Sequence, residues 1–114
     1  MTETFEFIVV STTVDGEAAA DKLASKIVEK RLAACVQRMP VKSTYRWKGG
    51  VESAGEFLLV AKTRAALADD LVKFIGESHS YEVPEVVVTP IVGGSKPYLD
   101  WIVEETNEEN RLNE

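Results

Sequence analysis

The sequence predicts a single α+β domain of the split βαβ, ferredoxin-like kind, with an antiparallel sheet and a short C-terminal helix. The length of 114 residues and the apolar content of 45% suit one compact core. Hydrophobic periodicity alternates between strand and helix in the order β-α-β-β-α-β-α. One long hairpin joins the two halves of this duplicated pattern, which is the arrangement of a split βαβ fold.

The first strand is predicted over 5–13, where Phe, Ile, Val and Thr predominate. Apolar residues on both of its faces indicate a central place in the sheet. The helix that follows is expected to be capped by Asp15 and to end near Arg31. Three-to-four spacing predicts that one stripe of this helix faces the core, made of Ala20, Leu23, Ala24, Ile27 and Val28.

The hairpin is predicted from two extended runs, 34–47 and 51–63, around the dipeptide Gly49-Gly50. Pro40 lies inside the first run and therefore marks a bend or an edge position. Both runs exceed the usual strand length of about 5–6 residues, so the hairpin should project from a domain this small. Exposed strand edges favour association with a partner.

The second half of the domain holds a helix over 65–78, for which Thr63 is a candidate cap, and a strand over 86–92. Because proline cannot donate to a ladder, Pro90 predicts that this strand is at an edge or is bulged. A final helix is predicted over 97–106.

Residues 1–106 thus form the predicted domain, and 107–114 are expected to be a frayed acidic tail. The net charge of -6, from 13 basic and 19 acidic residues, argues against a nucleic-acid interface. The N-terminus has no basic leader, and the longest apolar run is far shorter than the ~20 residues that span a bilayer. The sequence therefore predicts a cytoplasmic protein without a membrane segment.

Little material for catalysis is present. No serine-hydrolase elbow or phosphate-binding loop occurs, and one histidine and one cysteine are too few for most nucleophilic sites. Cys35 cannot form an intramolecular disulfide, and its apolar neighbours predict a buried, unreactive thiol. The sequence predicts no enzyme.

His79 is the candidate metal ligand. It follows the second helix in a polar loop that also contains Tyr81, Glu82 and Glu85. Imidazole is a common ligand for copper and zinc, and Glu85 could complete a set with His79. The alternative is a helix-terminal histidine that bonds the last carbonyls of its helix. A single histidine does not hold a transition metal unaided, so association of subunits would have to supply further ligands.

Several separated motifs together resemble the CutA divalent-cation tolerance proteins. These are LAACV at 32–36, YRWKG at 45–49, Glu56, Lys62-Thr63, HSYEVPE at 79–85 and YLDWI at 98–102. The resemblance covers roughly 5–105. It implies a ferredoxin-like subunit that forms a homotrimer through its long hairpin. It also implies a role in the response to metal ions, with copper as the expected ligand.

The chain departs from that family at its proposed copper site. Members with such a site have a cysteine at the end of the first strand and two adjacent histidines after the second helix. Here these positions read Ser11 and Ser78-His79, so only His79 carries over. A hydroxyl is a weak ligand beside a thiolate, which predicts weak binding of copper or another divalent metal ion.

Two alternatives remain open at this point. A PII-like trimeric sensor would bind a nucleotide between subunits, for which Arg46, Lys48 and Lys62 are the scattered phosphate partners. A structural trimer would instead support another protein through its hairpin surface.

Overall fold

The fold follows the predicted order of elements. The computed structural model describes residues 4–107 and 109. The elements are β1 (Phe7–Val14), α1 (Glu17–Glu29), β2 (Cys35–Trp47), β3 (Gly50–Arg64), a 3-10 turn (Ala65–Leu67), α2 (Ala68–Ser78), β4 (Val86–Ile91) and α3 (Lys96–Thr106). The α+β class is confirmed. The tail predicted over 107–114 lies, apart from residues 107 and 109, outside the described residues.

The sheet is antiparallel and four-stranded, in the order β2-β3-β1-β4. The prediction of a central first strand is confirmed, since β1 pairs with β3 on one side and β4 on the other. Pro40 in β2 and Pro90 in β4 both lie on edge strands, as expected for a residue without an N–H donor.

One face of the sheet is covered by α1 and α2, and we call it the helix-covered face. Its buried residues include Val10, Leu59, Ala61, Leu71 and Ile75 together with Ala20, Leu23, Ala24 and Ile27 of α1. The prediction that Val28 joins this stripe is wrong, because Val28 is 41% exposed. The next residue after Ile27 is turned about 100° around the helix, which takes its side chain to the rim.

Neither predicted helix cap is formed. Gly16 is the N-cap of α1, without a side-chain cap hydrogen bond, so the role expected of Asp15 is wrong. Thr63 is paired with Ile8 inside the sheet and is fully buried. Because β3 continues to Arg64 and a 3-10 turn precedes α2, Thr63 lies too early to cap that helix.

The long hairpin is confirmed, with arms of 13 and 15 residues. Its turn lies one residue earlier than predicted. Trp47 pairs with Gly50, so the two turn residues are Lys48 and Gly49, with φ angles of 49° and 82°. Two consecutive positive φ angles are the mark of a type I′ turn, which suits the twist of a two-residue hairpin.

The opposite face is covered only at one end by helix α3 among the described residues. There Arg64 bonds Thr106, and the Lys62 ammonium lies 5.7 Å from the centre of the Tyr98 ring. Strand register places Ser11, Met39, Leu58, Val60 and Val87 on the rest of this face. We call these five residues the open face.

No helix in the described part of the chain is both long enough and apolar enough to cross a bilayer.

Candidate functional site

A cleft of about 790 Å³ lies between the far end of the hairpin and the loop that follows α2. One wall is formed by Tyr45, Arg46 and Trp47 of β2. Residues 81–85 form the other wall, and Thr13 and Glu56 complete the lining. The cleft therefore brings together the ends of β1 and β2, the middle of β3 and the loop predicted from the sequence as the candidate site.

His79 attaches this loop to the sheet. Its backbone is extended, with φ −84° and ψ 144°, and this conformation ends α2 and turns the chain towards β1. The Tyr81 N–H donates to His79 Nδ1 at 3.1 Å. Because Nδ1 accepts, Nε2 carries the proton and donates to the Thr13 carbonyl at 2.7 Å. The carbonyl it bonds belongs to β1, so the alternative of bonding the last carbonyls of its own helix is wrong.

Tyr81 reaches from the loop to the floor of the cleft. Its hydroxyl donates to Glu56 Oε2 at 2.8 Å, and its ring centre lies 4.7 Å from that of His79. Burial, followed by the hydrogen bond to the Glu56 carboxylate, raises the pKa of Tyr81 above its usual value. Tyr81 therefore stays protonated and serves as a donor throughout the physiological pH range.

Glu56 forms the floor of the cleft. It is only 8% exposed, which is unusual for a residue with a carboxyl group. Tyr81 is its one hydrogen-bond partner among the described residues, and no ion pair there involves it. The other charged lining residues are Glu82, Glu85 and Arg46. The lining thus carries three carboxylates against one guanidinium.

A match to a family model gives these features their context. Residues 8–105 match the CutA1 divalent ion tolerance protein family. The chain belongs to this family. It is 45% identical over 105 residues to "Protein CutA, chloroplastic" from Arabidopsis thaliana, covering 91% of this chain and 58% of that protein. The chain thus spans little more than half the length of its plant relative.

Prokaryotic relatives match over nearly their whole length. The "Divalent-cation tolerance protein CutA" of Thermus thermophilus is 43% identical over 99 residues, covering 86% of this chain and 96% of that protein.

Among solved structures, CutA1 from Oryza sativa superposes with a TM-score of 0.88 at 42% identity, covering 92% of this chain and 97% of the other. The periplasmic CutA of Archaeoglobus fulgidus has a TM-score of 0.87 at 35% identity, covering 89% and 99%.

The two predicted metal ligands sit in different environments within the cleft region. His79 is half-buried with both ring nitrogens hydrogen-bonded, whereas Glu85 is exposed on the cleft wall. Among residues 4–107 and 109, no three His, Cys, Asp or Glu side chains are grouped closely enough to hold a metal ion. Metal binding by His79 and Glu85 stays a prediction, and the described residues of one chain do not supply a full set of ligands.

Ser11 and Cys35 lie at different places on the sheet. Ser11 lies within β1 opposite Val60 and Val87, on the open face. Cys35 begins β2 and is half-buried, so the expectation of a buried thiol is wrong. An edge strand leaves one side of each residue without a neighbouring strand, which accounts for the partial exposure. The reactivity of the thiol stays a prediction.

The cations proposed as phosphate partners are not brought together. Arg46 lies opposite Val51 near the hairpin turn, and Lys62 is eleven residues further along β3, a distance of roughly 35 Å. Lys48 lies over the Trp47 ring at 5.7 Å, and Lys62 lies beside α3. Within one chain these three side chains form no anion site.

Sequence analysis placed the loop of His79 correctly but missed the partnership of Glu56 with Tyr81. In the prediction from sequence, Glu56 was named only as part of a motif that resembles the CutA family. Strand alternation could have found it, because Glu56 lies on the same face of β3 as Leu58 and next to the apolar run 57–61. An acidic residue at that position requires a partner when the face is covered.

Proposed function

We propose that this chain acts in the response to divalent metal ions as a homotrimer that binds copper or another divalent ion weakly and catalyses no reaction. The observation that carries this proposal is membership of the CutA1 divalent ion tolerance family over residues 8–105. The proposed fine details, trimer and metal site, each rest on separate features of the fold.

The open face supports the trimer. Met39 is 44% exposed and Val87 46% exposed, and the half-buried Leu58 and Val60 lie between them. Adjacent exposed apolar residues of this kind mark an interaction surface. Both β2 and β4 also have an unpaired edge within the described sheet. Three-fold closure is taken from the resemblance to the CutA family.

Light scattering of the purified protein tests the assembly, with the expected mass three times that of the chain. Val87→Glu places a charge in the proposed interface and should lower the mass. Val28→Glu is a matched control, because Val28 is similarly exposed but lies on α1 outside the open face. A monomer mass for the wild type at micromolar concentration would contradict the trimer.

The geometry of His79 supports weak metal binding. Only Nδ1 has a lone pair in the tautomer that the two hydrogen bonds require, and the Tyr81 N–H occupies it. A metal ion must displace this donor and must take its other ligands from Glu85 and from a second subunit.

Calorimetric titration with Cu²⁺ and Zn²⁺ tests the site. His79→Ala should abolish binding and Glu85→Gln should weaken it, whereas Glu82→Gln removes the same charge from the same loop as a control. Ser11→Cys should raise affinity for soft metals by adding a thiolate on β1, two residues before the Thr13 carbonyl that His79 bonds. Copper binding by His79→Ala that equals the wild type would place the site elsewhere.

A cytoplasmic location is a further part of the proposal. The relatives' names include chloroplastic and periplasmic proteins, so location differs among them. Fractionation of cells followed by immunodetection tests it, and recovery with a membrane or organelle fraction would contradict it.

A further inference from the structure

The buried carboxylate of Glu56 lacks a cationic partner. Moving an ionised carboxylate out of water costs free energy unless hydrogen bonds or an opposite charge compensate. Here one oxygen, Oε2, accepts the Tyr81 hydroxyl, and the other, Oε1, has no hydrogen-bond partner among the described residues. Glu56 itself lines the cleft. The floor of the cleft therefore carries a carboxylate oxygen without a hydrogen-bond partner among the described residues.

The walls around this oxygen combine apolar surface with negative charge. Tyr45 and Trp47 contribute aromatic rings from β2, and Val83 and Pro84 contribute apolar surface from the loop. Glu82 and Glu85 stand on the loop wall, opposed by Arg46 alone. A ligand for such a cleft would carry positive charge at one end and an apolar body at the other, since aromatic faces and carboxylates both favour cations.

We propose that this cleft binds an organic ammonium ion, whose charged head donates to Glu56 and whose apolar body lies against Tyr45 and Trp47. Tyr81 positions the acceptor, because its hydroxyl fixes one oxygen and leaves the other without a partner for the ligand to bond. The metal site proposed at His79 uses a different ligand chemistry and shares with this cleft only the wall residue Glu85.

Size and charge disfavour two other occupants. A bare metal ion needs several ligands within about 2–2.6 Å, and no group of three suitable side chains exists among the described residues. A cleft of about 790 Å³ is also far larger than an ion. A nucleotide would place phosphates beside three carboxylates with one guanidinium, an arrangement that repels anions.

Phenethylamine is a suitable probe, with phenethyl alcohol and phenylacetate as its neutral and anionic counterparts. Calorimetry on the full chain should show the amine binding at least about tenfold more tightly than the alcohol, since a hydrogen bond to a charged group contributes that much. Phenylacetate should bind less tightly than either. Equal affinities for the amine and the alcohol, or no binding of the amine, would overturn the proposal.

Glu56→Gln keeps an acceptor for Tyr81 but removes the charge, and it should weaken amine binding at least about tenfold. Glu52→Gln is the matched control, because Glu52 is an exposed glutamate four residues away on the same strand that does not line the cleft. It should leave the affinity unchanged. Unchanged affinity in Glu56→Gln would sink the proposal.

A measurement on the wild-type chain keeps the test independent of the folding of that variant. In NMR titrations, phenethylamine should shift the Trp47 indole N–H and the Glu56 and Tyr81 amides. Shifts confined to other surfaces, or a trimer whose own side chains occupy the cleft and exclude the amine, would contradict the proposal.

Discussion

The two faces of the sheet are built from the same strands but differ in what their residues do. On the helix-covered face, α1 and α2 bury aliphatic side chains such as Ile27 and Leu71 completely. On the opposite face, polar contacts such as Tyr81 with Glu56 and exposed apolar residues such as Val87 predominate. The difference indicates that stability comes chiefly from the first face, whereas the proposed binding sites lie on the second.

Removing a buried side chain from the helix-covered face is the strongest test of this comparison. We expect Ile27→Ala to lower the free energy of unfolding by about 2–5 kcal/mol, through lost burial and the cavity left behind. Val28→Ala on the next residue should cost less than about 1 kcal/mol, because that side chain is largely exposed. Urea unfolding followed by circular dichroism measures both, and equal losses would contradict the division between the faces.

The next largest loss of stability is expected from removing the hydrogen bonds that attach α3 to the opposite face of the sheet. Arg64 donates from Nε to the Thr106 hydroxyl at 3.0 Å and from its terminal nitrogen to the Thr106 carbonyl at 2.5 Å. Arg64→Met keeps the aliphatic stem and removes both donors at the end of the helix. A loss of about 1.5–3 kcal/mol is expected, as for hydrogen bonds to charged groups.

Arg38 provides the control for that substitution. Its ion pair with Asp21 is short, at 2.6 Å, but both side chains are well exposed. Arg38→Met should therefore cost at most about 1 kcal/mol. If Arg38→Met proved as costly as Arg64→Met, the expectation that part-buried contacts stabilise the fold more than exposed ones would be wrong.

Local patterns predicted the elements of both faces but not the contacts between them. The apolar and β-branched residues of β1 and the spacing of Leu23 and Ile27 depend on one element each, so the sequence sufficed for them. The cap predicted at Thr63 is wrong because Thr63 pairs with Ile8. Pairing between segments so far apart in the sequence cannot be predicted from local propensity. The turn at Lys48 and Gly49 followed from register, which depends on both arms of the hairpin together.

The candidate site shows the same limit. Its loop was predicted from the residue types around His79, but the partners of that loop come from distant strands. Thr13 and Glu56 are separated from it by 66 and 25 residues in the two hydrogen bonds that hold it. No periodicity in one segment predicts such pairs, because they depend on how β1 and β3 are placed beside each other.

Tyr81 should make the stability of the folded protein depend on pH in the alkaline range. Its pKa is raised in the folded state, so its contribution to stability is complete below the unfolded tyrosine value of ~10 and is lost as pH rises further. We expect Tyr81→Phe to cost about 1 kcal/mol at pH 7 and to unfold with a shallower loss of stability above pH ~10. Tyr98→Phe is the control, because Tyr98 lies on α3 with its ring exposed. Identical pH profiles for Tyr81→Phe and wild type would remove the proposed role of its hydroxyl.

The smallest expected effect has the opposite sign and lies on the helix-covered face itself. Thr63 is fully buried between β1 and the helices, and its hydroxyl has no hydrogen-bond partner among the described residues. An unsatisfied buried hydroxyl costs free energy, whereas a methyl group of the same shape does not. Thr63→Val should therefore raise the free energy of unfolding by about 0.5–1 kcal/mol. Thr44→Val is the control, since the exposed Thr44 hydroxyl bonds Ser53 and gains nothing from its removal. A loss of stability in Thr63→Val, measured by the same urea titration, would show that this hydroxyl is satisfied after all and that the helix-covered face is not purely apolar in its energetics.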